Sequence, residues 1–279
     1  MNWDDIEYHS SNKSDFDTQS PGDLFDLIRQ DFTTLNRKTA LSLGQLFVLV
    51  SGSDNSLFRK SSSLDLLQNV WLSKSKNKSM LDVIEKSIPS YNGNINSDFI
   101  REIAERSLIS LNILEVSSIL NDAGVSLVIE EYIPSSKVDG ACYLLSNGTP
   151  CISISARYKR ADSIWFTLLH ELSHIALHYD ILENPIIDDF DDIGNSKIER
   201  QANNLASNSI QPRDIARTSK SKQTGKESDL IEDSKLANVH PCLIAGHIRY
   251  STQNYKIFSD IVNDKDLFLE TIRGFHIEL

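Results

Sequence analysis

The run from Ile164 to Tyr179 constrains this chain more than any other stretch. Trp165, Leu168, Leu172, Ile175 and Tyr179 recur at near-helical spacing, and Phe166, Leu169 and Leu177 widen the stripe almost all round. A helix apolar on so many sides is buried. Yet it carries His170-Glu171-Leu172-Ser173-His174 at its centre, and three polar side chains placed inside a core need polar partners there. On a helix, residues i and i+4 lie one above the other, so both imidazoles face one point and can share a divalent metal. Glu171, next to the first histidine, can reach a water on that metal as a general base. This is the H-E-x-x-H arrangement of zinc hydrolases. The competing reading is a pair of satisfied core histidines.

A catalytic zinc takes three protein ligands and keeps one position open. Glu199 is the candidate third ligand. Ile198, Ala202, Leu205, Ala206 and Ile210 give its segment helical periodicity, ended by Pro212. Small Ala202 and Ala206 share the Glu199 face and allow a close approach to the histidine helix. Ser196-x-x-Glu199 also reads as a capping box, and the acidic loop Asp188-Asp189-Phe190-Asp191-Asp192 is a rival source of ligand or a solvated connector. His178, one turn past His174, either supports the transition state or packs and hydrogen-bonds nearby. It cannot be the third histidine of the longer H-E-x-x-H-x-x-G-x-x-H pattern, whose spacing differs.

The run from Ala156 to His174, followed by the run from Ile198 to Ala206, resembles the ImmA/IrrE metallopeptidases, and is similar in particular to long members associated with HigA-type antitoxins. Val138-Asp-Gly-Ala-Cys142 and the run from Val239 to Tyr250 fit the same subgroup. The resemblance implies Zn2+ held by His170, His174 and Glu199, with Glu171 as base. It implies a regulatory protein substrate, often a transcriptional repressor, and a setting in toxin–antitoxin systems, transcription regulation or stress response. The fold it implies is α+β: a mostly helical zincin-like core with a small antiparallel sheet before the active-site helix. A non-catalytic antitoxin-like regulator that binds a toxin partner on the same scaffold is the alternative. Tyr158 and His240 are outside candidates for stabilising the oxyanion.

Those longer relatives open on a helix-turn-helix, and none is convincing here. The apolar segment 39–50 lacks the basic residues that contact phosphates. A net charge of −11 and a pI near 5.1 give no overall attraction to DNA or anionic lipid, so direct DNA binding is not expected. The basic stretch 217–226, rich in Ser, Gly and Lys, reads as a flexible loop. No apolar run approaches the ~20 residues that span a bilayer, and the N-terminus lacks a basic-then-apolar signal, so a cytoplasmic location and no membrane partner are expected. Cys142, Cys151 and Cys242 make no disulfide framework.

The expected organisation is a disordered lead at 1–22, a helical region at 23–97, the metallopeptidase domain at 98–262 and a tail at 263–279. Leu64, Leu67, Val70 and Trp71 give one apolar helical face, Asp98 is a candidate N-cap, and a helix stops at Gly124. Residues 125–133 and 140–158 switch to strand character, with Asn147-Gly148 as a hairpin signal. A two-residue turn sets Leu144 opposite Cys151. An edge strand of this hairpin either aligns an extended peptide beside the metal or simply packs on the helix. Pro150 belongs at an edge or a strand start. Pro241 opens the second of two short helices between Leu236 and Tyr250.

Overall fold

The computed structural model describes residues 21–39, 41–42, 44–46, 49, 63–188 and 196–275. Most of the expected lead, the acidic loop beyond Asp188 and much of the 39–50 segment lie outside the described residues. The chain divides into two compact units, Met1–Val70 and Trp71–Leu279. In the first, α1 (Pro21–Thr39) has Arg37 and Lys38 in its last turn, where cations complement the carbonyl end of the helix dipole. Its Ile28 and Leu35, two turns apart, are buried. α2 (Ser63–Glu85) runs across the boundary in sequence.

The second unit is mostly helical around a small four-strand sheet of β1 (Ser126–Glu130), β2 (Gly140–Leu144), β3 (Pro150–Ser155) and β4 (Ile186–Asp188). The strand order is β1-β3-β2-β4. The sheet is mixed rather than antiparallel, because β1 pairs β3 in parallel while β2 is antiparallel to both β3 and β4. Side chains alternate between its faces. Leu127, Ile129, Cys142, Ile152 and Ile154 join the main apolar core beneath α5 (Ala161–His178). The other face is polar and meets α2. Ser126 Oγ donates to Asp82 (2.8 Å), Lys74 pairs with Glu130 (2.6 Å), and Ser79, Tyr143 and Ser153 form a hydroxyl chain with links of 2.9 and 2.8 Å.

The β2–β3 hairpin forms around Asn147-Gly148, but in a different register from the one its dipeptide suggests. Leu144 lies opposite Pro150 and Tyr143 opposite Cys151. The Gly148 N–H donates to Leu145 O (2.8 Å) and Leu145 N–H to Thr149 O (3.0 Å). Gly148 has φ +82° while Asn147 is absent from the positive-φ residues. A type I′ turn needs both; this is a three-residue loop with glycine at the left-handed position, and the Asn147 side chain accepts from Thr149 N (3.1 Å). Pro150 opens its strand as expected. Neither hairpin strand is an edge: β3 lies between β1 and β2, and β4 covers β2, so the strand beside the histidine helix is not free to pair a peptide.

Before the sheet stand α3 (Ser97–Arg106) and α4 (Ile113–Asp122), capped by Asn96 and Asn112. Asn96, not Asp98, is the N-cap, since its side chain accepts from the N–H groups of both Asp98 and Phe99 (3.0 Å each). After the sheet come α6 (Lys197–Ile210), α7 (Arg213–Thr218), α8 (Ser221–Thr224), α9 (Glu227–Ala237), α10 (Pro241–Thr252), α11 (Ser259–Val262) and α12 (Lys265–Thr271). The basic stretch 217–226 is therefore largely helical turns. Asp233 on α9 holds them, accepting from Ser219 Oγ (2.7 Å), from the Ser221 N–H (2.9 Å) and from the Ser221 hydroxyl. No described helix is long and apolar enough to cross a membrane, and all three cysteines are free and buried.

Trp165 anchors α5 in the core, fully buried with its indole N–H donating to Leu111 O (3.0 Å). Trp165→Ala removes that volume and leaves the carbonyl unpaired, so unfolding in urea should show a loss of about 3–5 kcal/mol.

Candidate metal centre

α5 is largely apolar but carries two histidines and Glu171 in the buried middle of its length. His170, Glu171 and His174 are all completely buried. The helix bearing Glu199 comes close because Ala202 and Ala206, on the same face, are also completely buried and small. Ser196 caps α6 by accepting from Glu199 N (3.2 Å), so the backbone half of the expected capping box forms. The Glu199 carboxylate meanwhile turns to the histidines, 3.2 Å from His170 Nε2 and 3.5 Å from His174 Nε2.

Asp188, the last residue of β4, joins them with Oδ2 2.9 Å from His170 Nε2. One potential donor atom from each of His170, His174, Asp188 and Glu199 lies within 4.8 Å of the others. The sequence pointed to the acidic loop only as a whole. What singles out Asp188 is the pairing of β4 with β2 across Gly140, which has no local signature.

The cluster fits a metal ion. The two Nε2 atoms face each other at 3.0 Å, with the carboxylate oxygens at 2.9–3.5 Å from them. Donors about 2.0–2.2 Å from a tetrahedral ion stand roughly 3.3–3.6 Å apart. On its other side His174 Nδ1 meets His178 Nδ1 at 3.1 Å, and His178 Nε2 meets Gln201 Oε1 at 3.3 Å. An amide oxygen only accepts, so His178 carries its proton on Nε2 and accepts from His174 Nδ1–H. That chain leaves the His174 Nε2 lone pair aimed into the cluster. His178 thus engages the rear of His174. Tyr158 and His240 are placed elsewhere: Tyr158 lines a separate cavity, and His240 caps α10 by accepting from Cys242 N (3.2 Å).

Glu171 points away from α6 towards the sheet. A Cβ on Gly140 would lie 2.3 Å from Glu171 Oε1 and 2.6 Å from Thr167 Cγ2, so only glycine leaves room for this carboxylate. No N–H or hydroxyl donor among the described residues reaches either Glu171 oxygen, and the group beside it is another carboxylate, Asp188. Burial pushes the carboxyl well above the usual carboxylate range, and Asp188, Glu199 and Asp139 reinforce the shift. Glu199 moves the other way. Burial opposes its charge, but the adjacent imidazoles of His170 and His174 outweigh that and lower it.

Burial also opposes charge on His170, yet Asp188 and Glu199 prevail and raise it to about 9. Raised above the unfolded value of about 6.5, protonated His170 stabilises the metal-free protein fully below that value, and the contribution disappears as pH rises through about 9. A metal must displace that proton. Zinc affinity by competition titration should therefore climb about tenfold per pH unit from neutrality and level off near 9; a flat profile would contradict the charge state assigned to His170.

Residues 122–239 match the family model described as IrrE N-terminal-like domain, Peptidase_M78. No curated protein matches the chain. The matched segment, under half of the chain, contains the sheet, the histidine helix, Asp188 and Glu199, and it is similar to IrrE N-terminal-like domains of Peptidase_M78.

Proposed function

We propose that this chain is a zinc-dependent endopeptidase that cleaves a regulatory protein, such as a transcriptional repressor, in the cytoplasm. The observation that carries the reading is Glu171: a carboxyl group with no donor among the described residues, buried beside a four-donor cluster in space that a Cβ on Gly140 would fill. A core that needed only to be packed has no use for it. His170, His174 and Glu199 would hold the zinc, which would supply a Lewis acid and lower the pKa of a water.

Glu171 takes the proton of the attacking water onto a carboxylate oxygen and returns it to the leaving amine. Its raised proton affinity suits both halves of that task, because a base too acidic cannot take the proton and one too basic cannot release it. His178 and Gln201 hold His174 in the tautomer that offers Nε2 to the metal, which makes His178 a positioning residue. His170, Glu171 and His174 are completely buried, so the core shields them from bulk water. The resemblance to ImmA/IrrE peptidases supports a regulatory target over general digestion.

Asp188 favours a second reading. If its carboxylate stays beside His170 when the site is loaded, four protein donors close the coordination shell, as in structural zinc sites. The chain then serves as a scaffold, an antitoxin-like regulator that binds a toxin partner.

Metal analysis of the full chain separates the two. About one zinc per chain, lost in His174→Ala and Glu199→Ala but kept in Asp188→Ala, is the peptidase outcome. Loss in Asp188→Ala as well indicates the closed site. Glu171→Gln should keep its metal and abolish cleavage of co-expressed repressors, read as new N-termini by mass spectrometry. Gly140→Ala, which displaces Glu171, should keep the metal and slow cleavage about 100-fold. Undiminished cleavage in either variant would remove Glu171 from the role of base.

A further inference from the structure

A cavity of about 310 Å³ adjoins the first half of the histidine helix, lined in part by Asp162, Ser163 and Phe166. Phe166 links this space to the metal centre. It lies one helical turn before His170, with ring centroids 6.2 Å apart, and its ring also packs on Tyr250 at 5.9 Å. The cavity walls are largely aromatic and apolar, with Tyr158, Phe166, Tyr250 and Tyr255 among them. α10 comes close enough to form one wall because it carries Gly246, where a Cβ would lie 2.3 Å from Asp162 Oδ2.

Two guanidinium groups line this space, and they differ. Arg160 is engaged by Asp162, with Nε donating to Oδ1 (3.0 Å) and a second bond from its terminal nitrogen. Arg249 is only 5% exposed and donates one bond, to Ile257 O (2.9 Å). Its buried Nε–H has no acceptor among the described residues. Burial pushes His247 down to about 4, so this histidine is neutral at pH 7. Arg249 thus lines an aromatic-walled space while carrying a donor that no described residue accepts, and a buried donor without an acceptor is costly. A ligand oxygen would satisfy it.

We propose that this cavity is the specificity subsite of the peptidase, accepting from a residue flanking the scissile bond a large side chain that ends in an acceptor oxygen, tyrosine or glutamate in preference to phenylalanine or leucine. The assignment rests on the peptidase reading above. It is also a property of this chain rather than of the matched segment alone. Tyr158, Arg160 and Phe166 fall within residues 122–239, whereas Gly246, Arg249, Tyr250 and Tyr255 fall beyond it.

Binding can be read without catalysis. N-acetyl-tyrosinamide and N-acetyl-phenylalaninamide are titrated into the full chain, with and without zinc, and followed by NMR. The tyrosine compound should bind about tenfold tighter, the effect of one hydrogen bond to a charged group. Arg249→Met should erase that difference. Tyr255→Ala, at a half-exposed position that does not threaten folding, should weaken both compounds. The zinc-loaded chain is then offered a peptide pool, where tyrosine or glutamate should be enriched next to the cut and lose that enrichment in Arg249→Met. Equal binding of the two compounds overturns the subsite. So does tyrosine binding with cleavage indifferent to the flanking residue, which would mark a pocket for a free aromatic molecule. If the chain holds no zinc and cuts nothing while Arg249-dependent binding persists, the peptidase reading has failed and the cavity is again a small-molecule site.

Discussion

The structure depends on the electrostatics of one buried point, where three carboxyl groups, Glu171, Asp188 and Glu199, meet His170 and His174. Such a group of ionisable side chains cannot all keep their ordinary charges out of water. In the metal-free protein the conflict resolves by protonation, with His170 and Glu171 driven up while Glu199 is driven down. A divalent cation resolves it differently, by neutralising the negative charge and releasing protons. The surrounding fold holds the donors close enough for that exchange. α5 lies between the sheet and α6, Gly140 lets β2 pass the Glu171 carboxylate, and Ala202 and Ala206 let α6 approach. Enlarging Ala202 or Ala206 would push the Glu199 helix away, and a Cβ on Gly140 would displace Glu171 rather than merely crowd the core.

Much of this centre was legible because its signals are local. His170, Glu171 and His174 lie within five consecutive residues of one helix, and helical spacing alone puts both imidazoles on one face. Glu199 lies on a second helix whose small residues mark its buried side. Of the expected capping box only the Ser196 half forms, on the Glu199 backbone N–H, because the carboxylate goes to the histidines instead of back to the N-cap. Asp188 was not legible. It stands in a run of similar acidic residues, and only a three-residue strand pairing distinguishes it.

The sheet shows the same division between local and non-local information. Alternation and the Asn147-Gly148 pair located the hairpin, and the core face of β3, with Ile152 and Ile154, follows from period two. The pairing partner across the turn did not follow, because Asn-Gly serves both a two-residue turn and the longer loop found here. The choice depends on Asn147 keeping negative φ while its side chain bonds Thr149 N. Nor does a hairpin's sequence reveal whether its strands lie at an edge. β1 on one side and β4 on the other arrive from more distant parts of the chain, and they enclose both strands.

The enclosure of the hairpin changes where a substrate's specificity can come from. With β2 covered, the hairpin itself gives a peptide no backbone ladder beside the candidate metal site, and side-chain pockets become a source of recognition. The cavity at Phe166 has the position for this, one turn from His170 along the same helix. Its two walls have different origins: α5 supplies Phe166 along with the histidines, while α10 supplies Arg249 and Tyr250 from beyond the matched segment. A chain can therefore keep the metal-binding helix unchanged and alter its preference through the helix that follows. That separation confines the demands of catalysis to one set of residues and leaves Arg249 free to vary without disturbing His170, Glu171 or His174.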